Sequence, residues 1–319
     1  MHDAIIDVDG IKVGHASDFN SFTGCTVILP EKGCVGGADV RGGAPGTREI
    51  ALLDPRAMVC EVNGIMLAGG GAFGLEAACG AMDYLEEKGI GFDVGVTRVP
   101  IVPSAVLFDL TCGDFRIRPD RRMGYKACLN ARDDVIERGS VGAGTGATIG
   151  KIFGMGSCMK SGIGSASIKA GEVVVGAIFA VNAFGDVYDL ESGGILAGAL
   201  NPDRRSFADT VRLYKELAPK MDLFPCNTTI GVVATNAKLT KSEINKVAQM
   251  AHDGLARSIR PVHTSYDGDT IFALATGVVE GDVTLVGVVG ADATARAVDD
   301  GVRSAKGLGG IPSARDLDL

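Results

Sequence analysis

Glycine is the feature of this sequence that most narrows what the chain can fold into. There are 46 glycines among 319 residues, they follow no collagen-like period, and they lie between short apolar runs. A residue without a Cβ atom suits places where the chain turns tightly or where two backbones come close. The pattern therefore predicts many tight turns and close backbone contacts. Because the glycine-rich stretches are interleaved with apolar residues, no hinge-like linker divides the chain, and we expect one α/β domain of layered sheets and helices.

Strand and helix signals alternate over the first hundred residues. Short β-type runs occur at Ile11–Val13 and Cys25–Leu29, and Ile65–Ala68 is typical of a buried strand. A helical pattern follows from Ala72 to Lys88, where apolar residues recur on one face. Val99–Leu110 is apolar but contains two prolines, so we expect a loop that leads into a strand.

The middle of the chain favours paired strands after a region of turns. Eight of the 24 residues in Val141–Gly164 are glycines. Ala166–Lys169 and Val173–Val181 then predict two strands joined by a short turn. Asp209–Leu217 predicts a helix, and Leu223–Asn227 predicts a short connector.

The last third begins with the β-branched strand Thr229–Ala234. A capping-box pattern, from Thr240 to Glu243, indicates the start of an amphipathic helix. The remaining sequence predicts, in order, a turn at Asp267-Gly268-Asp269, a strand at Thr270–Ala275, a strand at Thr284–Val289, a helix at Ala291–Ala305 and a tail at residues 306–319.

Charge and hydropathy argue against two classes of partner. The formal net charge is −8, and binding of nucleic-acid phosphates needs a basic face. The longest apolar stretch, Val173–Phe184, is too short to span a membrane, and the acidic N-terminus does not resemble a signal peptide. We therefore expect no nucleic-acid or membrane partner and a cytoplasmic location. The eight cysteines are scattered without a CxxC pair, as in a protein with reduced thiols.

The common patterns of metal sites and serine hydrolases are missing from the sequence. Histidines occur only at positions 2, 15, 252 and 263, and none has the HExxH spacing of a metal site. Gly156-Ser157-Cys158 does not form the GxSxG elbow of a serine hydrolase. We expect no metal and no other cofactor. We also expect His252, a polar residue in an amphipathic helix, to lie on the surface.

The sequence contains a glycine pattern of the kind found in dinucleotide-binding sites. Gly69, Gly71 and Gly74 fit GxGxxG between a strand and a helix, and Asp93 stands at about the spacing of a ribose-binding acid. The pattern is weak in a chain with so many glycines, and no regular strand–helix series follows it. We interpret it as close packing of a helix on its strand, with N–H groups at the helix start that could bind an anion.

A hydrolase can do without histidine if its nucleophile is an N-terminal threonine. The α-amine of such a residue has a reference pKa of about 8 and can take the hydroxyl proton. An internal threonine gains that amine only when the chain is cut directly before it. The cut can be autocatalytic, because the hydroxyl can attack the preceding carbonyl and form an ester that water then opens.

Asn227-Thr228 is the bond at which this chain resembles a family with that chemistry. Residues 225–237 read PCNTTIGVVATNA, which resembles the cleavage segment of the DmpA family (peptidase family S58), the group of β-peptidyl aminopeptidases and nylon-oligomer hydrolases. The longer strings GCTV, VRGGAPGTRE and VNGIMLAGGGAFGL are similar to the same family. The resemblance thus covers nearly the whole chain.

The resemblance implies a fold and a form of processing. The fold is a four-layer αββα sandwich of the DmpA and ornithine acetyltransferase type, like that of N-terminal-nucleophile hydrolases but with different connectivity. Autocleavage would give two subunits, residues 1–227 and 228–319, that stay together in a homo-oligomer, and we expect a tetramer. The implied substrates are small peptides, aminoacyl amides or similar linear amides, and no cofactor is implied.

Residue by residue, the resemblance assigns the nucleophile to Thr228. Asp267 and Asp269 follow it by 39 and 41 residues and match the two oxygen-bearing side chains that orient the nucleophile and its amine. Asn182 matches an oxyanion-hole donor, and Lys151 matches a lysine near the site. Without the resemblance, the two aspartates indicate a turn, Asn182 a strand end and Lys151 a surface charge.

One departure from the family concerns the substrate side of the site. Several members have a tyrosine where this chain has Phe108, so no phenol hydroxyl is available at this position. Asp109, the next residue, fits either a ligand for a substrate ammonium or a buried structural acid. Two other functions stay open: acetyl transfer of the ornithine acetyltransferase type, and small-molecule binding by a non-catalytic relative that is not cut.

Overall fold

The computed structural model describes residues 1–217 and 227–317. Pro225, Cys226 and most of the predicted connector Leu223–Asn227 lie outside these residues. The described helices are α1 (Ala77–Glu87), α2 (Arg121–Leu129), α3 (Thr210–Leu217), α4 (Lys241–Ser258) and α5 (Val283–Ser304). The described strands are β1 (Ile11–Asp18), β2 (Thr23–Pro30), β3 (Cys34–Val40), β4 (Thr47–Arg48), β5 (Glu61–Val62), β6 (Ile65–Ala68), β7 (Phe92–Asp93), β8 (Arg98–Val99), β9 (Ser104–Val106), β10 (Thr148–Ile149), β11 (Met159–Lys160), β12 (Ile163–Ala170), β13 (Val173–Asn182), β14 (Asp186–Tyr188), β15 (Ile195–Ala197), β16 (Thr228–Lys238), β17 (Ile259–Arg260) and β18 (Thr270–Glu280).

Two large sheets form the centre of the molecule. The first has six strands in the order β12-β13-β16-β18-β3-β5, and the second has five strands in the order β1-β2-β6-β9-β4. Within the six-stranded sheet, β13 and β16 are antiparallel, whereas β16 and β18 are parallel and are joined through α4. This βαβ connection brings the starts of β16 and β18 to the same edge of the sheet.

Buried apolar residues alternate between the two faces of each sheet and form three large cores, beside one small cluster of four residues. On β16, Ile230 and Val232 belong to the core between the two sheets, whereas Val233 belongs to the core under α4 and α5. On β2, Ile28 belongs to the core between the sheets and Val27 to the core under α1 and α2. Three cores separate four layers, so the predicted αββα sandwich is confirmed.

Several elements agree with the local sequence signals. The strands β12 and β13 pair as the predicted hairpin, and β6 has the predicted bounds. The capping box at the start of α4 is present: the Thr240 hydroxyl accepts a hydrogen bond from the Glu243 amide, and the Glu243 carboxylate accepts one from the Thr240 amide at 2.8 Å. Each of these signals lies within a few residues of the structure that it specifies.

The prediction of a strand at Thr284–Val289 is wrong. These residues are the first turns of α5, whose N-cap Asp282 accepts a hydrogen bond from the Leu285 amide at 2.8 Å. Val286 and Val289, spaced for one helical face, are buried in the core under α4 and α5. β-Branched residues favour strands when considered alone, but here the packing of α5 on β12 and β13 decides the conformation.

Two smaller predictions also need correction. The predicted helix Ala72–Lys88 begins as the 3₁₀ turn Gly71–Glu76 and becomes α-helical only in α1. The predicted tail is packed where it is described, since the Pro312 carbonyl accepts a hydrogen bond from the Lys160 amide at 2.7 Å and Ser313 is buried. None of the helices described is long and apolar enough to cross a membrane.

Candidate active site

Thr228 and Asn182 meet at one end of the six-stranded sheet. Thr228 is the first residue of β16 and lies directly opposite Asn182, the last residue of β13. Residues of the same parity, Ile230 on β16 and Ala180 on β13, face the core between the sheets. Because side chains alternate along a strand, Thr228 and Asn182 share that face. Both are buried, with exposed fractions of 5% and 0%.

The peptide bond before Thr228 is held in a defined arrangement. The Thr228 hydroxyl donates to the Asn227 carbonyl oxygen at 2.5 Å, and the Gly268 amide donates to the same oxygen at 2.8 Å. A Cβ atom on Gly268 would lie 2.9 Å from the Thr228 Oγ1 and 2.6 Å from the Ala44 carbonyl oxygen, so only glycine fits there without a shift. The carbonyl group is therefore next to the hydroxyl and is polarised by a backbone N–H.

Backbone contacts, rather than the Asn227 side chain, fix this peptide. The Asn227 amide donates to the Tyr266 carbonyl oxygen at 3.1 Å. Both polar atoms of the Asn227 side chain are buried, and neither finds a hydrogen-bond partner among the described residues. The position of the bond thus depends on the turn that leads into β18.

Asp269 contacts the chain directly after the nucleophile. Its Oδ1 accepts a hydrogen bond from the Thr229 amide at 2.7 Å. Its Oδ2 accepts from the amide and from the Nδ1 of His263, at 3.0 and 2.8 Å. With an exposed fraction of 1%, this carboxylate fixes the start of β16 from the side of the sheet where α4 lies.

Asp267, on the other side of Gly268, is held by its own loop. Its Oδ2 accepts hydrogen bonds from the amide and the hydroxyl of Thr264, at 2.9 and 2.5 Å. Its main-chain carbonyl accepts from the Ala44 amide at 2.8 Å. Burial, together with the neighbouring charge of Asp269, raises the pKa of Asp267 to about 6. Asp267 is thus a carboxylate at neutral pH with a proton affinity above that of an exposed aspartate.

Lys151 and Asn182 form a pair. The Lys151 ammonium donates to the Asn182 Oδ1 at 2.7 Å and to the Asn182 carbonyl oxygen at 3.1 Å, and the Thr148 amide donates to Oδ1 at 3.0 Å. Since all these groups are donors, the amide oxygen of Asn182 must face them and its NH₂ group must point away. One N–H of that group donates to the Phe108 carbonyl oxygen at 3.0 Å. A role of the second N–H as an oxyanion donor stays a prediction.

Phe108 and Asp109 lie beside this pair. The Phe108 backbone positions Asn182, and its half-buried ring would be 3.3 Å from a Cβ atom on Gly71. Asp109 is buried, and its oxygens accept hydrogen bonds from the Thr23 hydroxyl at 2.8 Å and the Gly70 amide at 2.6 Å. In this arrangement Asp109 supports the turn after β6, and a role of either side chain in substrate binding stays a prediction.

The glycine run after β6 is explained by this packing. A Cβ atom on Gly69 would lie 2.0 Å from a carboxylate oxygen of Asp109, and Gly70 has a φ of +82°. Asp93, the nominal ribose-binding acid, is exposed in the small β7–β8 sheet. These contacts support the interpretation of the run as a site of close packing.

Replacing Asp109 is expected to change how stability depends on pH. Burial raises the pKa of Asp109 from 3.8 to about 6, so the folded protein binds a proton more tightly than the unfolded chain does. The stabilising contribution of that proton is present at low pH and is lost as the pH rises through about 6. In Asp109→Asn, the decrease in the free energy of unfolding between pH 4 and pH 6.5 should be smaller by about 2 kcal/mol. Urea denaturation at both pH values measures it, and an unchanged decrease would contradict the assignment.

Two histidines that the sequence did not assign belong to this region. The expectation that His252 lies on the surface is wrong, because its side chain is fully buried on the inner face of α4. His252 Nδ1 lies 3.3 Å from His263 Nε2, and His263 in turn contacts Asp269. Apolar residues four positions before and three positions after His252, Ala248 and Leu255, are the sequence signal that would have placed it on the inner face.

Metal ligands do not gather in the part of the chain that the structure describes. Among residues 1–217 and 227–317, no three histidine, cysteine, aspartate or glutamate side chains come together in a way that could hold a metal ion. The candidate site therefore consists of the hydroxyl, amide, carboxylate and ammonium groups described above.

Comparison with known proteins places the whole chain among hydrolases. The chain matches the model of peptidase family S58 over residues 3–314. An uncharacterized aminopeptidase of Mycobacterium tuberculosis is 43% identical over 98% of this chain and 97% of its own length. A 6-aminohexanoate-oligomer endohydrolase of Kocuria sp. is 31% identical over 86% of this chain and 75% of its own length.

A solved structure has the same fold. The L-aminopeptidase D-Ala-esterase/amidase of Ochrobactrum anthropi, described as a variant of the N-terminal-nucleophile hydrolase fold, superposes with a TM-score of 0.71 over 95% of this chain and 86% of its own. Its sequence identity to this chain is 18%, so the likeness concerns the fold alone.

Proposed function

This chain belongs to peptidase family S58 and is a peptide or amide hydrolase, and we propose that its nucleophile is Thr228, freed as an N-terminus by cleavage of the Asn227–Thr228 bond. One observation carries the proposal: the Thr228 hydroxyl and the Gly268 amide both contact the carbonyl oxygen that cleavage would attack. A hydroxyl and an oxyanion donor next to one carbonyl are the two groups that an acyl shift requires.

The cleavage step uses groups that are already in place. The Thr228 oxygen attacks the Asn227 carbonyl carbon, and the Gly268 N–H stabilises the negative charge that develops on the carbonyl oxygen. The C–N bond then breaks, and the hydroxyl proton passes to the leaving nitrogen, which becomes the α-amine of Thr228. Water opens the ester and leaves a new carboxylate on Asn227.

Substrate hydrolysis repeats this chemistry on an external amide. The α-amine of Thr228 takes the hydroxyl proton, and the oxygen attacks the substrate carbonyl. The second N–H of Asn182, oriented by Lys151, donates to the oxyanion. Asp269 holds the backbone at Thr229. Asp267, whose carboxylate accepts hydrogen bonds from Thr264 and Phe184 in the uncut chain, orients the hydroxyl or the amine of Thr228 after cleavage. The substrate C–N bond then breaks, and the leaving amine takes the proton back from the α-ammonium of Thr228. Water attacks the resulting ester and releases the acyl group from Thr228 as a free acid.

A panel of amides tests the substrate class. Because relatives of this chain are named as an aminopeptidase and as an endohydrolase of 6-aminohexanoate oligomers, we expect hydrolysis of α-aminoacyl amides, β-aminoacyl amides or linear 6-aminohexanoate oligomers. The measurement is release of amine and free acid, detected by mass spectrometry. Transfer of the acetyl group of acetylornithine to an added amine, without hydrolysis of any amide in the panel, would favour the acetyltransferase instead. An uncut protein that binds these amides without turnover would favour the non-catalytic relative.

A further inference from the structure

A line of polar groups leads from Asp269 away from the nucleophile and through the inner face of α4. Asp269 Oδ2 lies 2.8 Å from His263 Nδ1, and His263 Nε2 lies 3.3 Å from His252 Nδ1. His252 Nε2 lies 3.1 Å from the main-chain carbonyl oxygen of Asp39, at the end of β3. Three contacts thus join a carboxylate, two imidazole rings and a backbone carbonyl.

The two ends of this line can only accept hydrogen bonds. A backbone carbonyl oxygen has no proton, and a carboxylate has none either. His252 Nε2 must therefore carry a proton toward Asp39, and His263 Nδ1 must carry one toward Asp269. The contact between the rings requires a third proton. Two neutral imidazole rings carry one N–H proton each. If all three contacts are hydrogen bonds, the two rings together carry three such protons, one more than two neutral rings can supply.

We propose that His263 and His252 are positioning residues that hold this additional proton, with His263 as the imidazolium partner of the Asp269 carboxylate. The proposal rests on the proposed function only where it concerns catalysis, because the protonation of the pair does not depend on Thr228. His263 acts through Asp269, which in turn fixes the Thr229 amide beside the nucleophile.

The surroundings place the positive charge on His263 rather than on His252. His252 is fully buried, and burial, aided by the neighbouring His263, lowers the pKa of His252 to about 4 although Asp39 opposes the shift. The charged groups that face the His252 ring are the Asp39 carboxylate at 3.6 Å and Arg41, which is itself paired with Asp39 at 2.7 Å. His263 keeps 17% of its side chain exposed and forms its ion pair with Asp269 at 2.8 Å.

The proton does not belong on Asp269 itself. The carboxylate of Asp269 accepts hydrogen bonds from the Thr229 amide, from the His263 amide and from the His263 ring. Three donors stabilise the ionised form of a carboxyl group. The positive ring also offsets a negative charge close to Asp267, whose pKa is raised in part by Asp269. The positive charge on His263 therefore offsets the repulsion between the two carboxylates on either side of Gly268, those of Asp267 and Asp269.

Nitrogen-15 spectra of the histidine rings test the proton count directly. The chain has four histidines, at positions 2, 15, 252 and 263, so single variants assign every ring signal. At pH 7 we expect His263 to be doubly protonated and His252 to be neutral with its proton on Nε2. A neutral His263 ring at pH 7 would overturn the proposal. The same spectra of Thr228→Ala should agree with those of the wild type, which separates this question from the role of the nucleophile.

Two replacements of His263 test the effect on catalysis. His263→Asn keeps an N–H near the position of Nδ1 but cannot hold a second proton, whereas His263→Leu keeps neither. We expect kcat to fall roughly 10- to 100-fold in His263→Asn, with KM within about twofold, and to fall further in His263→Leu. The wild type should lose activity at alkaline pH as the additional proton leaves, and His263→Asn should lack that decline.

The control for these variants is His2→Gln, since His2 is exposed and its backbone makes the hydrogen bonds to Asp7 and Arg138. Its pH profile should match that of the wild type. If His263→Asn keeps the alkaline decline of the wild type at a uniformly lower rate, the two histidines only fill space, and the proposal is wrong. If KM rises while kcat stays constant, the pair affects substrate binding instead, which also contradicts the proposal.

Discussion

Thr228→Ala is expected to abolish both the cutting of the chain and the hydrolysis of substrate. The hydroxyl that lies 2.5 Å from the Asn227 carbonyl oxygen is then absent, and the α-amine is never released. Loss of a covalent nucleophile typically lowers kcat by on the order of 10⁶-fold. Denaturing electrophoresis should give a single band near 32.8 kDa, and a sensitive amide assay should find no turnover above background.

Thr229 offers a matched control at the next position. Its hydroxyl is buried and has no hydrogen-bond partner among the described residues, while its amide contacts Asp269. Thr229→Val keeps the shape and the amide and removes only an unsatisfied hydroxyl, so cutting and turnover should persist. Thr228→Ser, which keeps a hydroxyl, should still be cut. Hydrolysis that survives in Thr228→Ala would refute the assignment of the nucleophile.

Asn182→Ala is expected to have the second-largest effect. The substitution removes the N–H that would donate a hydrogen bond to the oxyanion. It also removes the amide oxygen that accepts a hydrogen bond from the Lys151 ammonium. Losing one oxyanion donor typically lowers kcat by roughly 10²–10³-fold, and KM should change little because the contact forms mainly in the transition state. Steady-state kinetics on the best amide of the panel measures both values.

The control for this variant lies on the same pair of strands. Asn236, near the far end of β16, accepts a hydrogen bond from the Val174 amide at 2.8 Å and donates to the Glu172 carbonyl oxygen at 3.0 Å. Asn236→Ala should lower the free energy of unfolding while kcat stays close to that of the wild type. If the two variants lose the same fraction of kcat, Asn182 supports the fold and is not an oxyanion donor.

Local sequence signals were sufficient for some elements and insufficient for others. The bounds of β6 and the cap of α4 depend on residues within one or two turns of chain, so the sequence predicts them directly. The start of α5 cannot be predicted in this way. Its valines favour a strand when considered alone, and the packing of the helix on β12 and β13 decides their conformation. The four layers followed from the family resemblance, and the alternating burial along β16 and β2 explains them physically.

In the candidate site, too, some groups could be identified from the sequence, whereas others depend on how the chain folds. The resemblance pointed to Thr228, Asp267 and Asp269, and the structure places Asp269 against the amide that follows Thr228. The Gly268 amide is a backbone group, so no residue type in the sequence identifies it as a donor to the scissile carbonyl. The contact between His252 and His263 depends on how α4 packs, and eleven residues of sequence separate the two rings.

N-terminal sequencing of the purified, active protein tests the central claim most directly. Cleavage at Asn227–Thr228 predicts two fragments that copurify, one of which begins Thr228-Thr229-Ile230, and activity that rises in proportion to the cut fraction. A fully active preparation that consists only of the intact 32.8 kDa chain would contradict the claim, because Thr228 would then have no α-amine.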